Sequence, residues 1–147
     1  MEPLGLAFIG WFFAGFSALV LVVGAVLIMS LHRSGGLARR QLEKSVVNDA
    51  ALFGIWIFGL AGGIGVIRLE AWGRDVLEFF CWTLIVLAML SGGMRLRALK
   101  KNATDAVNWF SAVAGVAIVV VPIVLLCAAT IVTLRSEAAI AAFTQWR

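Results

Sequence analysis

Four stretches of this chain contain no Asp, Glu, Lys or Arg, and their lengths decide what it can fold into. They run from Pro3 to Leu31 (29 residues), Ala50 to Ile67 (18), Phe79 to Met94 (16) and Ala106 to Leu134 (29). About 20 apolar residues in a helix cross a hydrocarbon core of about 30 Å. In lipid the backbone has to satisfy its own polar groups, which a helix does within one segment. The pattern therefore predicts an all-α integral membrane protein, a single domain over 1–147 with four transmembrane helices in a bundle. The expected spans are about 4–31, 50–67, 76–94 and 106–134, followed by a tail over 135–147. The third run matches the bilayer only with Val76 and Leu77 added and with Arg95 and Arg97 snorkelling outward. Charged residues make up 14% of the chain, where a soluble domain carries roughly one quarter. A cleaved signal peptide is not expected, because Glu2 stands where a basic segment would and the first run is too long.

Orientation follows from the basic residues. Eight of the twelve Lys and Arg fall in the loops after the first and third runs: Arg33, Arg39, Arg40, Lys44, Arg95, Arg97, Lys100 and Lys101. With the acids counted, that side nets +5 and the opposite side −1. The positive-inside rule then places two basic loops in the cytoplasm and both termini outside. Trp11, Trp72, Trp82 and Trp146 come out near the outer boundary and Trp109 near the inner one, as an aromatic belt requires. Trp56 stands apart, inside the second span, and is expected to pack on protein or lipid tails. The net charge of +4 does not indicate nucleic acid, because the charges cluster at membrane boundaries. Arg39, Arg40, Lys100 and Lys101 are the expected contacts for anionic headgroups on the cytoplasmic side. The absence of a targeting segment and the composition rich in Arg, Ala and Gly suggest a bacterial inner membrane.

Ile140, Phe143 and Trp146 recur every third residue in the tail, the spacing of a short amphipathic helix on the outer interface or of a surface that docks a partner. Within the spans, small residues recur four apart: Gly10, Ala14 and Ala18, then Gly59 and Gly63, Ala88 and Gly92, Ser111 and Gly115. Such residues let helix backbones approach where no hydrophobic effect drives association. Pro122 is expected to bend the fourth helix. Asn48-Asp49 and Thr104-Asp105 read as caps of the second and fourth helices. Ser34-Gly35-Gly36 and Ser91-Gly92-Gly93 lie 57 residues apart, and seven of 21 positions match at that offset, a hint of a duplicated hairpin.

Chemistry-bearing residues are sparse. The absence of Asp, Glu, Lys and Arg from the spans argues against a proton-coupled transporter or a pump. His32, the single histidine, stands where the first helix leaves the membrane and is the candidate axial ligand for a haem or chlorophyll-type pigment. A bis-histidine haem would need a second histidine, and zinc would need more ligands. Cys81 and Cys127 read as small core residues, and their spacing argues neither for nor against a disulfide. Gly59 to Gly65 is glycine-rich but lacks the Lys-Ser/Thr that follows in a phosphate loop. In size and helix number the chain resembles the small membrane enzymes that act on glutathione-type thioethers, without the polar residues such sites require. The expectation is an accessory or structural subunit of a larger membrane complex, respiratory or photosynthetic, whose partners are lipids and other integral membrane subunits. A small homo-oligomeric transporter or channel is the alternative.

Overall fold

The computed structural model describes residues 4–33, 42–101 and 109–144. Apart from two short turns they form five helices: α1 (Leu4–Arg33), α2 (Leu42–Ile67), α3 (Ala71–Lys101), α4 (Trp109–Leu134) and α5 (Glu137–Thr144). Three helices are long and apolar enough to cross a membrane, over Gly5–Ser30, Ala71–Ala98 and Val113–Leu134, and Phe53–Ile67 forms a shorter apolar helix. These lengths and compositions are those of a membrane protein.

The boundaries differ from the expected spans in two places. The third uncharged run is the shortest of the four, yet the helix around it is the longest, at 31 residues. Helix ends are set by backbone hydrogen bonding, and the charged flanks on both sides of the run stay within it. Likewise α2 begins at Leu42, so Asn48 and Asp49 lie inside the helix and do not cap it. Thr104 and Asp105 lie outside the described residues.

Neighbours in sequence are neighbours in space, α1 on α2, α2 on α3 and α3 on α4, while α1 and α4 meet only narrowly. The α2–α3 turn is a Schellman stop. Glu70 N–H donates to the Gly65 carbonyl at 3.0 Å and Leu69 N–H to that of Val66 at 3.1 Å, with Leu69 left-handed at φ 55°. A second corner joins α4 to α5. There Ser136 caps α5, its hydroxyl accepting from the Ala139 amide at 3.3 Å while donating to the Thr133 carbonyl at 2.8 Å.

Among the described residues, the buried core lies at the end that holds these two corners. Val66, Leu77, Phe80, Cys81, Cys127 and Leu134 are almost completely buried there, and Leu6, Phe13 and Phe143 join them. Phe13 of α1 meets Phe80 of α3 edge to face at 6.0 Å, and Trp56 of α2 packs on both Phe16 and Phe80 at 5.6 Å. Trp56 therefore packs on protein. Towards the opposite, basic end, Val26, Leu27, Met89 and Met94 are exposed.

Candidate functional site

The most closely built features are two helix crossings. At the first, a methyl placed on Gly63 would lie 2.6 Å from the Ala14 amide nitrogen and 2.9 Å from the Gly10 carbonyl oxygen. Backbone meets backbone there, so Gly10, Ala14 and Gly63 form the contact expected of a small-residue face. Gly59 extends it, since a methyl would lie 2.6 Å from both the Phe80 ring and the Ser17 hydroxyl. Ala18 is half-buried beyond them. The second crossing escaped the four-residue pattern: Gly65 of α2 lies against Gly73 of α3, and a methyl on Gly65 would come 2.6 Å from the Gly73 Cα. Its signal in the sequence is only that a glycine stands on each side of a tight turn.

Gly115 is a correction. It is exposed, and a methyl there would meet nothing within 4 Å, so it does not bring α4 against another helix. Instead it lines a groove of about 190 Å³ between α3 and α4 towards the basic end. Ala88, Ser91, Gly92 and Arg95 form one wall and Gly115 and Val119 part of the other. Ser91 turns its hydroxyl onto the Leu87 carbonyl of its own helix. Arg95 is thus the charged group of the lining, and it sits at the basic end.

Polar groups in the helices mostly satisfy themselves. Thr83 donates to the Phe79 carbonyl, Thr130 to that of Leu126 and Thr133 to that of Ala129, each at 2.9 Å. Ser17 departs from this rule, being fully buried with no hydrogen-bond partner for its hydroxyl among the described residues. Cys81 and Cys127 are free, buried thiols that face each other across α3 and α4, a proximity that their 46-residue separation conceals. Glu78 of α3 pairs with Arg135 beyond α4, its oxygen accepting from Nε at 2.9 Å. The adjacent carboxylate holds the Arg135 guanidinium above its ordinary pKa.

The tail divides. Ile140 is exposed, but Phe143 is 5% exposed and belongs to the core with Ala139, so it is not a free docking group. Ala139 and Phe143, four residues apart, share the face of α5 that meets the bundle, and Ile140 lies off that face. Trp146 lies outside the described residues, as do Arg39 and Arg40. His32 falls in the last turn of α1 and Lys100 and Lys101 in the last turn of α3, with side chains outside the described residues. No protein-family model matches the chain, and neither a curated protein nor a solved structure is found to be similar to it.

Proposed function

We propose that the chain is an accessory, structural subunit of a larger inner-membrane complex, respiratory or photosynthetic, acting through helix packing and lipid contacts. In this reading four helices span the membrane, α2 with the help of its polar flank, and both termini lie outside. The observation that carries it is an aromatic ladder on α1. Phe8, Phe12 and Phe16 stack four residues apart, with ring centroids 6.4 and 6.0 Å apart, along an exposed helix face. Lipid tails need no ordered aromatic stack, whereas aromatic side chains are enriched where proteins meet and concentrate binding energy. α1 is also the helix that leaves this face uncovered, since it meets α2 but scarcely touches α4.

A photo-crosslinking residue at Phe12 tests the reading in the native membrane. It should capture a different membrane protein, while the same probe at Leu27, towards the basic end, should capture much less. Capture of a second copy of the chain at Phe12 would replace the subunit reading with the homo-oligomeric transporter or channel. Capture of lipid alone at both positions would remove both.

A further inference from the structure

We propose that the groove between α3 and α4 is a binding site for one anionic phospholipid, with an acyl chain between the helices and the phosphate at Arg95. The steric case begins with glycine. Gly115 opens the groove because a side chain there would stand in empty space, and a methyl on Gly92 would lie 3.1 Å from Val116 across it. Along α3 the lining runs from Ala88 to Arg95 and along α4 from Ile123 back to Gly115. At 1.5 Å per residue the trough is about 10 to 12 Å long, the length of a stretch of hydrocarbon chain rather than of a compact solute.

The volume agrees with this shape. An apolar cavity of about 150 Å³ stays dry and takes up hydrocarbon, and this groove offers about 190 Å³ with Ser91 already bonded to its own helix. The charge then selects the lipid. Arg95 closes the basic end, and the ion pairs among the described residues, Arg74 with Asp75 and Arg135 with Glu78, do not involve it. A guanidinium at the end of an apolar trough complements a phosphate from which a fatty chain descends. A net negative headgroup is favoured further by the basic residues that follow Arg95 in the sequence, Arg97, Lys100 and Lys101. The inference rests on the membrane reading and not on the subunit reading, so failure to capture a partner protein at Phe12 leaves it standing.

Native mass spectrometry of the delipidated full-length protein in mild detergent tests it, with dioleoyl phosphatidylglycerol and dioleoyl phosphatidylcholine offered in competition. One phosphatidylglycerol should be retained preferentially. Arg95→Gln should reduce that preference about fivefold, the effect of one basic residue near a lipid surface, and Arg97→Gln, outside the groove, should reduce it much less. Gly115→Leu fills the trough from an open position and should abolish retention of both lipids, with helicity and thermal unfolding as in the wild type. Equal losses in Arg95→Gln and Arg97→Gln would mean a diffuse basic rim and overturn the site. Undiminished retention in Gly115→Leu would overturn the groove as the location. A photo-probe at Val119 that captures a protein helix rather than lipid would overturn the choice of occupant.

Discussion

Gly63 and Gly15 are both glycines within apolar helices, yet they should respond oppositely to the same methyl group. At Gly63 the methyl would press on the backbone of Ala14 and Gly10, which cannot rotate away. At Gly15 it would meet nothing within 4 Å. Gly63→Ala should therefore lose about 1 to 3 kcal/mol through forced helix separation, and Gly15→Ala should be neutral or gain up to about 1 kcal/mol from helix propensity. Thermal unfolding in detergent reads both, and an unchanged midpoint for Gly63→Ala would mean that the crossing relaxes freely. Ser17 poses a related question of chemistry. Its hydroxyl is buried beside Gly59 and the Phe80 ring without a partner, and an unsatisfied buried polar group costs about 1 to 3 kcal/mol. Ser17→Ala removes that group while keeping nearly the same volume, so the variant should unfold at a higher temperature. A lower midpoint would show that the hydroxyl is bonded in the membrane.

At the scale of elements, the tail changes role most. Its three-residue periodicity was legible as a short helix, and α5 is one, but its buried pair is Ala139 and Phe143 while Ile140 is exposed. The direction of the face was not legible, because periodicity describes a helix alone and says nothing about how the preceding corner rotates it. Ser136 and the short link after Leu134 turn α5 so that Ala139 and Phe143 fill the core beside Leu134 and Leu77. The same limit explains the small-residue pattern. Gly10, Ala14 and Gly63 lay on faces that meet, Gly115 lay on a face that opens a groove, and the Gly65 to Gly73 contact depended on the turn between two helices. Because Phe143 is in the core, Phe143→Ala should destabilise the whole bundle by about 3 kcal/mol, the low end for a buried phenylalanine. Ile140→Ala, on the exposed side of the same helix, should change stability by much less. Equal thermal midpoints for the two variants would mean that α5 is held by lipid and not by the bundle.

On the scale of the molecule, the core and the groove lie at different ends of the bundle. Among the described residues, the end with both corners holds the buried core, and the groove between α3 and α4 lies towards the basic end. There it suits the proposed lipid site, whereas the Phe8, Phe12 and Phe16 face proposed for a partner helix lies on the part of α1 that packs beside the core. Whether the basic end faces the cytoplasm is a matter of charge. The sequence between the first and second and between the third and fourth uncharged runs carries eight of the twelve Lys and Arg, and its translocation would move those charges across the bilayer against the positive-inside bias. The apolar part of α2, Phe53–Ile67, is the shortest of the candidate segments. At about 22 Å for its 15 residues it crosses only if the flanking turns contribute or the bilayer thins. The topology therefore depends on α2. Reporters fused after Lys44 and Lys101 should read cytoplasmic, and reporters after Gly73 and Arg147 external. If α2 fails to cross, the Gly73 fusion will instead read on the same side as Lys44, α3 will carry the chain outward, and Lys101 will read external.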